Sequence, residues 1–373
     1  MTESENTLQK EAPPTFGCLN CGADLKFKPG TTSLTCEYCG AKNEIPVLDT
    51  EIEELNFHEY LRKHKAEGDT VEVQLVKCQG CGSECTLEPN ITSSLCPFCT
   101  SPLMASSAQL VSVIQPKSLL PFKVEKQEAI TAFRKWIKKL WFAPNALKKA
   151  ALSFEHFKGI YLPFWTYDTD TNTRYVGQRG EHYYVTEDYT TTEDGKSVTK
   201  SREVQKTRWY PATGRVHESF DDVLIPASES LPKNKLIALE PWDLENLVPF
   251  DPKFLGGFIS EKYQLDLEQG FDKAKKIIDE HIERAVREHI GGDEQRIHSS
   301  KTDFNSITFK HILLPVYASA YKFKGKVFNF MVNARTGEIQ GERPWSTWKI
   351  ALTIIGALLL IGGGWLLYKY LSA

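Results

Sequence analysis

The longest run without a polar break lies near the C-terminus. Residues 350–368, Ile-Ala-Leu-Thr-Ile-Ile-Gly-Ala-Leu-Leu-Leu-Ile-Gly-Gly-Gly-Trp-Leu-Leu-Tyr, carry no charge. As a helix this run reaches about 28 Å, close to the hydrocarbon thickness of a bilayer. Trp345 and Trp348 stand at one end, and Trp365, Tyr368 and Tyr370 at the other, where interfacial aromatics belong. Arg343 and Lys349 precede the run and Lys369 follows it. The pattern predicts a transmembrane anchor over 345–370, at the tail of a chain whose folded part faces the cytosol.

Upstream the pattern is mixed. Residues 50–66 read as a short charged helix, with Asn56 as its N-cap and Glu59 three residues on. Ile130, Phe133, Ile137 and Leu140 repeat at helical spacing over 125–142, with Pro144 beyond. Ile160–Thr166 reads as a strand, and 173–211 as a hairpin turning at Glu193-Asp194-Gly195. Leu267, Phe271, Ala274, Ile278, Ile282, Ala285 and His289 share one face of a helix over 265–290, ended by Gly291-Gly292. Strands are expected near 307–322 and 326–333.

Three matches in the same order suggest an internal duplication. Phe157-Lys-Gly-Ile-Tyr-Leu-Pro163 resembles Phe309-Lys-His-Ile-Leu-Leu-Pro315. Leu120-Pro-Phe122 resembles Val248-Pro-Phe250, and Thr213-Gly214 resembles Thr336-Gly337. The expected fold class is therefore α+β: two N-terminal zinc ribbons, a duplicated mixed domain on antiparallel sheet, and one C-terminal transmembrane helix. Its parts are a flexible lead-in at 1–15, ribbon 1 at 16–46 and a linker with a short helix at 47–69. Ribbon 2 follows at 70–104, the α+β domain at 108–343 and the anchor at 345–370.

The ribbons rest on cysteine spacing. Cys18-x2-Cys21 is followed by Cys36-x2-Cys39, and Cys78-x2-Cys81 by Cys96-x2-Cys99, with the same gap in both sets. Each CxxC turn aims two thiolates at one point, and a facing pair completes a tetrahedral S4 set of the kind zinc prefers. Gly22, Gly40 and Gly82 follow the second cysteine of three pairs, where the chain must turn sharply. Pro29 and Pro89 hold the same place in the two loops. These eight cysteines are the expected ligands of two Zn2+ ions per chain. A rubredoxin-like iron site shares the spacing and stays open. Disulfides need an oxidising compartment, and Met1-Thr-Glu-Ser-Glu begins no signal peptide. Cys85 aligns with Leu25 and reads as a small buried hydrophobe. Neither ribbon has an apolar set large enough for its own core, so the metal is expected to supply most of its folding energy.

Charge changes the picture only locally. The net value is −3, which gives no global pull toward nucleic acid. Residues 117–149 carry nine Lys/Arg against two Glu, whereas 215–272 carry twelve Asp/Glu against five Lys/Arg. The ribbons lack the clustered cations that phosphate contact requires. Arg134, Lys135, Lys138, Lys139, Lys148 and Lys149, with Trp136, Trp141 and Phe142 interleaved, form a candidate surface for anionic lipid or an acidic partner, with nucleic acid less favoured. Catalytic patterns are absent. Gly195-Lys196-Ser197 has Thr190 where a phosphate loop needs glycine, and neither HExxH nor GxSxG occurs. His281 and His289 are two helical turns apart and cannot share a metal.

Tandem ribbons, Tyr161-Leu-Pro-Phe-Trp-Thr-Tyr167, Asn333-Ala-Arg-Thr-Gly-Glu338 and a terminal span together resemble bacterial tail-anchored tandem zinc-ribbon membrane proteins. The ribbons of that group are of the transcription-factor-IIB type, and many members carry the label primosomal protein N′ (replication factor Y), a helicase. The resemblance implies the eight cysteines as ligands and a membrane-associated partner role beside membrane-scaffold or envelope-stress proteins. The nucleotide motifs of a helicase are missing. The expected function is a non-enzymatic scaffold or adaptor at the cytoplasmic face of a cell membrane, the alternative a membrane-tethered nucleic-acid-binding or replication-linked protein.

Overall fold

The computed structural model describes residues 16–46, 52–64, 70–87, 93–146, 157–193, 196–323 and 326–371. The lead-in 1–15, Pro89, the Asp194-Gly195 turn and Lys148-Lys149 lie outside the described residues. Ribbon 1 is a meander of β1 (Leu25–Phe27), β2 (Ser33–Cys36) and β3 (Lys42–Glu44). β4 (Leu55–Asn56) leads into helix α1 (Phe57–His64), where the Asn56 side chain accepts a hydrogen bond from Glu59 N at 2.9 Å. Ribbon 2 contains β5 (Thr70–Lys77), β6 (Glu84–Cys85), β7 (Ser93–Leu95) and β8 (Pro102–Met104). β9 (Ala108–Ile114) pairs antiparallel over its whole length with Thr70–Val76 of β5, so the unit around ribbon 2 runs on to Ile114.

The body opens with β10 (Ser118–Leu119) and helix α2 (Lys126–Lys139), whose start is closed by a reciprocal Glu125–Glu128 capping box. Three long strands follow: β11 (Lys158–Glu193), β12 (Lys196–Pro226) and, later, β15 (Glu294–Phe323). Between them lie α3 (Lys233–Ile237), β13 (Val248–Pro249), β14 (Ile259–Ser260) and helix α4 (Leu267–Ile290). β16 (Lys326–Asn333), β17 (Ile339–Gly341) and helix α5 (Thr347–Leu371) end the chain. The architecture is α+β on antiparallel sheet, as the sequence pattern predicts. β11 is central, with β12 on one side and β15 on the other.

The strand register repeats at an offset of 152 residues, the distance from Phe157 to Phe309. Leu162 pairs with Leu314, its own counterpart, which places a local two-fold axis between them. β12 joins β11 at Phe164, and β16 joins β15 at Val316. β14 runs parallel to β11 at Ile160–Tyr161, and β10 parallel to β15 at Ile312–Leu313. The Phe157–Pro163 and Phe309–Pro315 match therefore marks equivalent positions. The other two matches do not. Val248-Pro249 pairs antiparallel with Ser118–Leu119, so it is a neighbour of the Leu120-Pro-Phe122 segment and not its counterpart. Thr213-Gly214 lies inside β12, whereas Thr336-Gly337 lies in the turn after β16, where Gly337 has φ 78°.

The middle of the sheet is buried on both faces, hence the continuous apolar runs there. Period-two alternation sends Phe157, Tyr161, Leu313 and Tyr317 to a cluster shared with Phe133 and Ile137 of α2. Ile160, Leu162, Ile312 and Leu314 go to a cluster on the opposite face with Leu236 and Trp242. Farther along, α4 packs Ile278, Ile282, Val286 and Ile290 against Tyr175 and Val216. Its buried stripe uses Val286 and Ile290 where periodicity placed Ala285 and His289, because the buried residues Ile278, Ile282, Val286 and Ile290 follow an i, i+4 row that winds about 40° around the helix per step across the twisted sheet. His289 is exposed, and its Nδ1 lies 2.6 Å from the Tyr175 hydroxyl.

Candidate metal centres

All four CxxC turns share one backbone hydrogen-bond pattern. The amide after each second cysteine donates to the carbonyl of the first: Gly22 to Cys18, Gly40 to Cys36, Gly82 to Cys78 and Thr100 to Cys96, at 2.8–3.0 Å. That closure requires a left-handed residue, with φ of 73°, 73°, 79° and 65° in turn. Glycine adopts it without strain at the first three turns, and Thr100 bears it at the fourth. Each β-hairpin then carries its second pair across to face the first.

The result is two S4 groups. Cys18, Cys21, Cys36 and Cys39 form one, Cys78, Cys81, Cys96 and Cys99 the other, and the sulfurs of each lie within 4.8 Å of one another. Cys18–Cys39 and Cys21–Cys36 are separated by 3.6 and 3.5 Å, and Cys78–Cys99 and Cys81–Cys96 by 3.5 and 3.6 Å. A tetrahedral ion with bonds of about 2.3 Å needs S···S edges of about 3.8 Å, so both groups fit with a small outward adjustment. Both could hold a metal ion. In each group the sulfurs share protons unequally. Contact with Cys96 and then the Ser83 hydroxyl bring Cys81 down to about 4, and Cys96 rises in return. The Ala41 amide and Asn20 bring Cys39 down to about 6. Sulfur made anionic by such donors is a ready cation ligand.

The ribbons sit on opposite faces of the sheet. Phe27 and Leu34 of ribbon 1 join the α2-side cluster, and Phe27 lies 5.2 Å from the Phe254 ring. Cys78, Cys85, Cys96 and Phe98 of ribbon 2 join the opposite cluster. Both ribbons are tied to the short segment 256–262. Phe27 N donates to Gly256 O at 3.0 Å, and Thr86 N to Ser260 O and Lys262 N to Glu84 O, both at 2.9 Å. Each ribbon thus borrows core from the body in addition to its metal set. Cys85 is fully buried, stands outside the S4 group, and its thiol is pushed up by burial.

One further acidic group, Glu54, Asp168 and Asp221, brings carboxylate oxygens within the same 4.8 Å. Lys310 already provides a cation for two of the three, Glu54 and Asp168. The Lys310 ammonium lies 2.8 Å from Asp222 and 3.0 Å from Glu54, at the level where β12 and β15 both bulge beside Asp168. This cage was legible only as a lysine inside an otherwise buried run. Beside ribbon 2, the buried Glu261 carboxyl bonds Ser230, and desolvation pushes it up to about 7.

Two other sequence candidates serve the framework. In Asn333–Glu338, the Asn333 side chain donates to Leu239 O at 2.9 Å, and Arg335 forms a two-pronged pair with Asp243. Tyr161–Tyr167 is wholly buried. Arg134, Lys135, Lys138 and Lys139 lie on α2, with the last three exposed. Trp136 stacks on Phe133, while Trp141 is open to solvent.

A Bacillus subtilis (strain 168) chain described as "Uncharacterized protein YdjG" is 27% identical to this one over 359 residues, covering 96% of this chain and 97% of that protein. No family model matches the chain. No solved structure matches it. Nothing in these comparisons attaches the primosomal helicase label to it.

Proposed function

We propose that the protein is a membrane-anchored, non-catalytic scaffold whose two zinc-loaded ribbons dock protein partners at the cytoplasmic face of a membrane. α5 is a 25-residue helix long and apolar enough to cross a bilayer, and no part of it is buried against the body. Eight free thiols in two sets suit a reducing compartment and a soft-ligand ion such as zinc.

The observation that carries the docking role is at the knuckles of ribbon 1. Leu19 is 94% exposed and Tyr38 85% exposed, one in each CxxC turn. The residue of ribbon 2 that corresponds to Tyr38 is Phe98, which is 2% exposed and packed against the body. Ribbon 1 thus displays an aromatic side chain that ribbon 2 uses for its own packing, and an aliphatic one, Leu19, where ribbon 2 has the exposed Gln79. Such a pair on a rigid turn suits a small hydrophobic contact with another protein.

The test compares wild type with the double variant Leu19→Ser, Tyr38→Ser by crosslinking in membranes and identification of the adducts. The variant should keep two zinc ions and lose a specific adduct. An unchanged adduct pattern would overturn the docking role, and adducts abolished by nuclease would favour nucleic-acid tethering.

A further inference from the structure

We infer that the turn Trp141–Asn145, with the C-terminal end of α2, is a seat for the headgroup layer of an anionic bilayer, which holds the folded body flat against the membrane. The inference rests on reading α5 as a membrane span. Its ground is the joint between that helix and the body. The Lys349 ammonium donates to Trp141 O at 3.1 Å, Ala143 O at 2.9 Å and Asn145 Oδ1 at 2.8 Å. Ser346 N donates to Phe142 O at 2.8 Å, and the Trp345 ring lies 6.1 Å from Phe142. Ala143 is fully buried in the cluster that includes Phe133 and Ile137, so the turn is fixed to the core. The span therefore does not hang on a loose tether.

This joint sets the depth of the turn. Lys349 is the last charge before the uncharged run that begins at Ile350. A group bonded to its ammonium lies at the boundary between headgroups and hydrocarbon. Trp141 is 71% exposed there, and Trp345 and Trp348 are exposed beside the start of the same helix. Indole rings uncovered by protein at that level match the interfacial preference of tryptophan. Lys135, Lys138 and Lys139, exposed on the last turns of α2, add positive charge next to the turn, which selects anionic over zwitterionic lipid. The three acceptors around Lys349 meanwhile satisfy an ammonium that would otherwise extend away from the hydrocarbon to reach water.

The full chain is reconstituted in vesicles of phosphatidylcholine, or of phosphatidylcholine with phosphatidylglycerol, each with and without phosphatidylcholine brominated high on the acyl chains. In wild type, bromine should quench emission from Trp141 together with Trp345, Trp348 and Trp365. Trp141→Phe, a change at an exposed site, should remove about a quarter of the quenchable emission. Lys138→Glu with Lys139→Glu should lower that Trp141 share in the phosphatidylglycerol vesicles and leave it unchanged in pure phosphatidylcholine. Resistance to carbonate extraction reports the span separately. Extraction of the wild-type chain would overturn the span and the seat with it. A resistant chain whose quenching is the same in wild type and Trp141→Phe would overturn the seat alone.

Discussion

Replacing Lys310 by Met tests the polar joint that ties the segment between the ribbons to the sheet. The Lys310 side chain is 8% exposed and faces Glu54, Asp222 and, at 4.0 Å, Asp168. Removing one partner of a buried ion pair costs about 3–5 kcal/mol. Glu54 and Asp222 keep part of their hydration, so about 2–4 kcal/mol is the expected loss here. The pH dependence follows from Asp168. Burial raises it to about 6, against the pull of the Asp222 amide and Lys310, from an ordinary 3.8. A raised carboxyl favours the folded state fully below pH 3.8, and that contribution is lost as pH rises through 6. Without the ammonium Asp168 rises further, so the deficit of the variant should be largest at pH 8 and smaller by about 1 kcal/mol at pH 5. Urea unfolding of the zinc-replete full chain in detergent, followed by tryptophan fluorescence, measures both. A loss below about 1 kcal/mol with no dependence on pH would refute the cage as an energetic joint.

Three other outcomes are expected. Elemental analysis should find two zinc ions per chain in wild type and in Cys85→Ala, with one lost in Cys36→Ser; a coloured iron protein would contradict this. His311 is buried with Nδ1 on Ile114 O at 2.9 Å, and burial lowers it to about 4. Its stabilising contribution is present above pH 6.5 and is lost as pH falls through 4, so His311→Gln should flatten the acid limb of the stability curve by up to about 3 kcal/mol. Removal of residues 345–373 should release the protein from membranes at high salt, read by sedimentation and immunoblot.

Features set by neighbours in sequence were legible in the sequence alone. The CxxC turns, the Asn56 cap, the apolar stripe of α2 and the uncharged run of α5 each depend on spacings of a few residues, and they form where those spacings place them. The Phe157–Pro163 and Phe309–Pro315 match was also sound, because both runs are buried on two faces and tolerate few other residues. The Leu120-Pro-Phe122 and Thr213-Gly214 matches failed, since short turn-forming words recur wherever a chain bends.

Tertiary structure alone decided the rest. The ribbons share core with the body on opposite faces of one sheet, because hydrogen bonds at Gly256, Ser260 and Lys262 bring segments far apart in the chain together. The same holds for the Lys310 cage, assembled from four distant segments, and for the Lys349 joint that reaches back to Trp141. Even the contrast between the exposed Tyr38 and the buried Phe98 could not be read locally. The two aromatics occupy equivalent places in equivalent turns, and only the surface each ribbon meets determines which one remains exposed.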